Sequence, residues 1–377
     1  MQQRVRVRVQ VHVAKQKNFT FVKSERRKRK SYYYARASSL IRAETPARVV
    51  LRIWTHRRNS SGMGLFDDNY VCSLSADTAK FAKEDLREDQ ATREHGIKAM
   101  REWLTKNPDI KNCRSDAVFL LRFLRCRKFS VPQAQELLER YLAIRQTYPH
   151  WFRNLDVNEA DLLEIIDAGY IVPLPEKDCF GRQIILTRSK CLDAMKFNST
   201  QMARLHSLVV EVLMDDEESQ VRGFVHVNDE DGLSMSHLSM WSLADVRTMM
   251  NCIQKSTPMR LKGTHFINLP GIANAFFEFF ISLLNDKLRG RIQTHKNYSD
   301  LHKSIDKNVL PKEYGGTVPV KDMIEQFKTK LKAFEEKIAA LEPMTINIRP
   351  GSKLKNEISP ENNLQGVTGS FRKLEVD

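Results

Sequence analysis

No run of apolar residues in this chain approaches the ~18–20 that a bilayer-spanning helix needs. The most apolar stretch, Ile272 to Leu284, is 13 residues long and broken by Asn274, Glu278 and Ser282. The N-terminus lacks the apolar segment of a secretory signal. Cysteine is scarce, 6 in 377 residues with no C-x-x-C pair, which excludes a disulfide framework and reads as reduced thiols of a cytosolic protein. Catalytic signatures are missing as well: no G-x-x-x-x-G-K-[ST], no G-x-G-x-x-G opening a helix, no H-E-x-x-H and no G-x-S-x-G. The expectation is a non-enzyme without a metal or cofactor.

Acidic residues are missing from one end only. Residues 1–62 hold 17 of the 61 Lys and Arg but 2 of the 46 Asp and Glu, which leaves 44 of each sign for residues 63–377. The net charge of +15 therefore belongs to a leader, and no nucleic-acid surface follows from the total. That leader alternates as Arg4-Val-Arg-Val-Arg-Val9 and carries the basic block Arg26 to Lys30. It reads as disordered or non-native, with translation expected to start at Met63.

Residues 63–150 read as a helical domain. Ser75 is placed to cap a charged helix running to about Glu94, and Ile97, Met100, Trp103 and Leu104 follow at helical spacing. Ser115-Asp116 opens a third helix over Ala117–Arg125, with Arg122 and Arg125 on its edge. Ser130 is placed to cap a fourth, with Pro132 in its first turn. Residues 151–319 mix short apolar runs with longer periodic ones. Ile184–Leu186, Gly223–Val227 and His265–Leu269 predict buried strands, and Ser199–Asp215 and Leu243–Lys255 predict helices. The fold class is α/β, an all-helical N-terminal domain followed by an α/β/α domain. Residues 320–342 form an amphipathic helix on the stripe Ile324, Phe327, Leu331, Phe334 and Ile338, and 343–377 are expected to be disordered. His237 and His265 read as hydrogen-bonded core histidines, and Asp229-Glu230-Asp231-Gly232 as solvated acids at a strand exit.

The chemically informative segment is Ile272–Leu288. Phe276, Phe277, Phe279, Phe280, Ile281, Leu283 and Leu284 cover most of a helix, and Asn274, Glu278 and Ser282 leave one narrow polar stripe. Such a helix needs cover from protein, lipid or bilayer. Lys287, Arg289 and Arg291 follow it at i, i+2, i+4, and Arg260 and Lys262 precede it. Cations beside an apolar helix let rings enter acyl chains while the charges meet phosphates.

From about Asp77 to Pro319 the chain resembles the CRAL-TRIO lipid-binding family, in the branch that contains the tocopherol transfer proteins, cellular retinaldehyde-binding protein and the clavesins. Five motifs in order carry the resemblance: Phe119-Leu-Leu-Arg-Phe-Leu-Arg-Cys-Arg-Lys-Phe129; Asp229-x-x-Gly232 with Ser236-His237; His265-x-Ile-Asn268-x-Pro270; Lys287-x-x-x-Arg291-Ile292; and Leu310-Pro-x-Glu-Tyr-Gly-Gly316. The resemblance implies a sheet flooring an apolar cavity, closed by a mobile gate helix at about Ile272–Leu288. It also implies a phosphoinositide site, which by position is Arg127, Arg260, Lys262, Lys287 and Arg291. The expected pocket walls are Phe224, Leu233, Leu238, Trp241, Val246, Met249, Met250, Ile253, Phe266 and Ile267, with Phe276, Phe277, Phe280 and Leu284 on the gate. Asn228 stands where the family has an apolar residue, and Leu269 where the tocopherol protein has an acidic one.

These readings predict a monomeric intracellular carrier of a tocopherol-, retinoid- or phosphoinositide-like lipid, peripherally and reversibly bound to phosphoinositide membranes, including endosomal ones. A trafficking adaptor with clathrin-pathway partners is the alternative. Nucleic-acid binding through the leader is the remote one, opposed by the neutral charge of the remainder.

Overall fold

Residues 70–358 are described by the computed structural model; the basic leader 1–62, Met63 and tail residues 359–377 lie outside them. Ser75 accepts from Thr78 N at 3.3 Å and opens α1 (Ala76–Leu86). The single helix expected to Glu94 is instead two. Arg87 adopts a left-handed conformation (φ 62°), and Asp89 accepts from Thr92 N at 2.8 Å to cap α2 (Gln90–Lys106). Glu88, in the break, turns inward and binds Arg125 at 2.7 Å and Arg93 at 2.8 Å. A two-residue strand β1 (Ile110–Lys111) follows.

Asp116 caps α3 (Ala117–Cys126) by accepting from Phe119 N at 3.1 Å. Ser130 does precede α4 (Val131–Thr147), but its side chain makes no capping bond. Phe119 and Phe123 meet Tyr141 of α4 edge to face, with centroids 6.1 and 5.5 Å apart, the arrangement that ring quadrupoles favour. Arg122 and Arg125 are not on the edge of α3. Both are fully buried. Arg122 pairs with Glu211 at 2.7 Å and with Asp215, which Arg114 and Lys337 also reach at 3.5 and 2.9 Å. Buried charges persist only when partnered, so the hydrophobic helix hides an ionic clamp.

The main sheet has the order β2–β3–β4–β5–β6: β2 (Ile171–Pro173), β3 (Gln183–Arg188), β4 (Phe224–Asp229), β5 (Leu261–Ile267) and β6 (Ile292–His295). β2 is antiparallel to β3, and the remaining pairs are parallel. Parallel neighbours require crossovers. Here α5 (Ser199–Leu213) links β3 to β4, and α6 (Leu243–Ser256) links β4 to β5, each opened by a capping box. β2 is too short, and β6 too polar at Gln293 and Thr294, to register as strands in sequence. β5 starts four residues before the expected His265, since Lys262 and Thr264 interrupt its apolar pattern. After β5 comes α7 (Asn274–Ser282).

The expected last helix is broken at Phe334 into α8 (Val320–Ala333) and a short helix Glu335–Ala339, with Ile324, Phe327, Leu331 and Ile338 still buried along one stripe. Residues 343–358 are ordered, contrary to expectation. β7 (Thr345–Ile346) pairs with β1, and Lys353–Ile358 is helical. Two buried anchors, Ile346 and Ile358, secure this polar segment, and Tyr148 Oη donates to Ile358 O at 2.9 Å.

The acids after β4 are not solvated as a group. Asp229 is buried and accepts from Tyr314 Oη at 2.5 Å and Asn268 Nδ2 at 2.8 Å. Glu230 accepts from Ser189 at 2.5 Å, and Asp231 alone is exposed, paired with Lys190 at 2.9 Å. Three of the sequence motifs thus meet at one carboxylate. Among the described residues no helix is long and apolar enough to cross a membrane, and no group of three or more His, Cys, Asp or Glu is placed to hold a metal ion.

Candidate functional site

Side chains alternate across a strand, and the two faces of this sheet differ in packing. Val225, Val227 and Asp229 of β4, with Gly263, His265 and Ile267 of β5, form one face and are all buried. The opposite face carries His226 and Asn228 in register with Thr264 and Phe266, and these four are only partly covered. The Phe266 ring meets Phe277 and Phe280 of α7 edge to face, with centroids 4.9 and 6.1 Å apart. The second face therefore looks towards the aromatic helix.

Helix α7 has no buried residue. Its polar stripe, Asn274, Glu278 and Ser282, is exposed as the spacing requires, while Phe276, Phe277, Phe279 and Phe280 are half-buried. The segment is not one helix from Ile272 to Leu288. Gly271–Ala273 is a single 3₁₀ turn, α7 ends at Ser282, and Asn285 starts a separate turn, Asp286–Arg289, by accepting from Leu288 N at 3.0 Å. Gln254 of α6 fastens this junction. Its Nε2 donates to Leu283 O at 3.0 Å, and its Oε1 accepts from Asn285 N and Nδ2 at 2.9 and 2.8 Å.

The five expected cations gather at the same end of the site. Gly223, at φ 95°, lets Phe224 N donate to Arg260 O at 3.0 Å, where a β-carbon would sit 2.4 Å from that oxygen. This close approach fixes Arg260 beside α1, and its guanidinium binds Asp85 and Val221 O. Lys262 stands 3.7 Å and Lys128 2.9 Å from the same carboxylate. Arg291 donates to Leu261 O. Arg127 and the exposed Lys287 have no ion-pair partner among the described residues. With Arg260 they surround the Cys126 thiol, which burial pushes up and these three cations pull back down. Burial, together with Arg260, Arg291 and Lys128, pushes Lys262 down to about 8 against the pull of Asp85. Partial burial raises Asp85, but hydrogen bonds from Lys128 and Arg260 outweigh it and hold the carboxyl at about 2. One carboxylate thus pairs with three of these six cations, Lys128, Arg260 and Lys262.

The pocket list divides. Leu233, Met250, Ile253 and Phe266 are partly covered and join no packed core cluster of the described residues, and Trp241 and Met249 are partly covered at the core's edge. Phe224, Leu238, Val246 and Leu284 are buried. Ile267 lies on the opposite face from Phe266, inside the solid core, because adjacent strand residues cannot share a face. His237 bonds Ser234 Oγ at 2.8 Å and Leu192 O at 3.1 Å, and His265 Nδ1 lies 2.9 Å from His295 Nε2, so both are hydrogen-bonded as expected. Sequence reasoning missed Asp85, Gln254 and Lys128. Only Lys128 left a signal, as the next residue of the Arg-Cys-Arg run.

Residues 167–316 match the CRAL/TRIO domain and residues 89–162 the Pinta-like, UBA domain. All five motifs fall within these spans. The chain is 32% identical over 249 residues to the alpha-tocopherol transfer protein-like protein of Mus musculus, covering 66% of this chain and 72% of that protein. It is 33% identical over 251 residues to Clavesin-1 of Xenopus laevis, covering 66% and 76%. The solved structure of Sfh5 is similar over 71% of this chain and 99% of its own, at 14% identity and a TM-score of 0.43. The domain match and the identity across more than two thirds of these relatives place the chain in one family: it belongs to the CRAL-TRIO lipid-binding proteins.

Proposed function

We propose that this protein carries a small apolar lipid, of tocopherol, retinoid or phosphoinositide type, between phosphoinositide-containing membranes, and exchanges it past α7. The observation that carries this reading is α7 itself: half-covered phenylalanines against Phe266, next to cations that outnumber their carboxylate partners. The tocopherol-transfer name of a relative supports an apolar cargo. Burying roughly 400–500 Å² of apolar lipid is worth on the order of 10–12 kcal/mol. Much of this is offset by ordering and by the lipid's favourable state in a bilayer. Extraction is then nearly balanced, and coupling the opening of α7 to docking tips it.

Each Lys or Arg near an anionic surface contributes about 1 kcal/mol, so Arg127, Arg260, Lys262, Lys287 and Arg291 together supply up to ~5 kcal/mol. That suffices for reversible docking and falls short of permanent residence. In the proposed cycle the cations engage phosphoinositide, α7 enters the interface, cargo exchanges, and undocking closes the site. Binding and release make no covalent bond, so the protein works without catalysis or cofactor. The test is Phe276→Asp with Phe280→Asp. Transfer of fluorescent tocopherol between phosphoinositide vesicles is expected to fall at least about ten-fold, with the circular dichroism unchanged. Undiminished transfer by a folded variant would remove α7 from the mechanism.

A further inference from the structure

The α7-facing side of the sheet is not uniformly greasy. His226 lies between Ile185 of β3 and Thr264 of β5, and one row further Asn228 lies between Thr187 and Phe266. Thr187 Oγ1 donates to Asn228 Oδ1 at 2.8 Å. One N–H of the Asn228 amide makes a long contact with His265 O, 3.4 Å, and the other has no partner among the described residues. Tyr170 Oη and His206 Nε2 meet at 3.0 Å, and His206 is close enough to His226 to depress its basicity. His226 Nε2 is shut off from solvent and has no hydrogen-bond partner among the described residues. Buried polar atoms are nearly always paired, so an orphan at this place calls for an absent partner.

Resting on the carrier reading, we infer that His226 and Asn228 form a polar seat on the sheet for the uncharged hydroxyl head of an otherwise apolar lipid. The charge state of the surroundings selects that head. Burial, and then His206, holds His226 at about 4, and burial holds His206 at about 4, so both rings are neutral at pH 7. Nearby Glu230 is itself pushed up by burial, against the hydrogen bond from Ser189. Lys262, on the same face of β5, directs its ammonium to Asp85. A carboxylate head would therefore be buried without a counter-charge. A hydroxyl both donates and accepts, so it satisfies the imidazole in either tautomer and takes the spare Asn228 N–H. An ether of the same lipid cannot donate.

The experiment equilibrates the full chain with phosphatidylcholine vesicles that carry a phosphoinositide and contain equimolar 1-hexadecanol, its methyl ether and palmitic acid. A parallel set contains α-tocopherol and its methyl ether. Protein is recovered by gel filtration and the extracted lipid quantified. Enrichment of at least one alcohol over its ether by about ten-fold is expected, the value of one hydrogen bond with its burial term. His226→Leu, an apolar replacement of similar size, is expected to bring that ratio within about two-fold while total uptake persists. In the unsubstituted chain the His226 ring protons are expected to shift on addition of alcohol, a readout independent of how the variant folds. Uptake without preference for the alcohol, or a preference that survives His226→Leu, overturns the seat and leaves the carrier reading standing. Absence of any uptake overturns the carrier reading and the seat together.

Discussion

The amide of Gln254 holds Asn285 at two points, its Oε1 accepting from the Asn285 backbone N at 2.9 Å and from the side-chain Nδ2 at 2.8 Å. The same side chain donates to Leu283 O. No residue of α7 is buried, and these bonds and the Phe266 contacts are among those that oppose its displacement. A net contribution of about 1 kcal/mol per hydrogen bond makes the clasp worth on the order of 2–3 kcal/mol. Gln254→Ala is accordingly expected to raise the population of the displaced α7. Amide exchange over residues 283–289 should quicken by at least ten-fold, and vesicle-to-vesicle transfer should accelerate, with the global unfolding midpoint nearly unchanged. Unaltered exchange in that segment would show that the clasp does not restrain it.

Lys262 gives docking a pH dependence. Its neighbours are Arg260, Arg291, Lys128 and Asp85, and burial with the three cations lowers its pKa to about 8. The ammonium is charged at pH 7 and is lost as pH rises through 8, so sedimentation with phosphoinositide liposomes should weaken between pH 7 and 9. Folding stability runs the other way. The folded pKa lies below the value of about 10.4 in an unfolded chain, so between pH 8 and 10.4 the unfolded state binds more protons and stability rises with pH. Lys262→Arg, whose charge does not titrate there, should flatten the docking profile. A profile unchanged by that replacement would assign the titration to another group.

Arg127 and Lys287 are the rim cations with no ion-pair partner among the described residues, which makes them the cleanest probes of docking. Arg127→Ala with Lys287→Ala should weaken liposome binding by about 2 kcal/mol, roughly thirty-fold. The dependence on salt should become shallower, because fewer counterions are exchanged, and thermal stability should hold. Arg291→Ala should differ, since its guanidinium also caps Leu261 O at the start of β5 and its loss costs stability as well. Equal liposome affinity for the double variant and the parent would exclude this face from docking.

What could be read from sequence was whatever depends on short-range pattern. The polar stripe Asn274, Glu278 and Ser282 did turn out exposed, and the spaced cations around Arg260 and Arg291 did gather. Two kinds of fact escaped. One is strand parity: Phe266 and Ile267 are equally apolar, and only the register of β5 against β4 decides that Phe266 faces α7 while Ile267 enters the core. The other is long-range charge pairing. Arg122 and Arg125 look like the wet edge of α3 because their partners, Glu88, Glu211 and Asp215, lie 37 to 93 residues away. Asp85 was hidden for the same reason, being 175 residues from Arg260.

Those hidden pairs set the last expectation. Removing Arg122 leaves Glu211 to Tyr141 Oη, 2.7 Å away, and Asp215 to Arg114 and Lys337. Asp215 is held well below the usual carboxylate range by Arg122 first, then Arg114 and Lys337, in opposition to its burial. An uncompensated buried charge typically costs about 3–5 kcal/mol, so Arg122→Ala should lower the denaturant midpoint by that amount divided by the m-value. Because the pairs are shut off from solvent, the loss should be nearly the same at 0.05 and 0.5 M salt, on the order of the least and most screening routinely used. Arg122→Met with Glu211→Leu removes one charge of each sign and fills the space with apolar atoms, so it should recover much of the loss. If Arg122→Ala cost less than about 1 kcal/mol, or if its cost vanished in salt, the arginine would be a surface pair in energetic terms, and the clamp joining α3 to the end of α5 would have to be sought in the aromatic contacts of Phe119 and Phe123 with Tyr141.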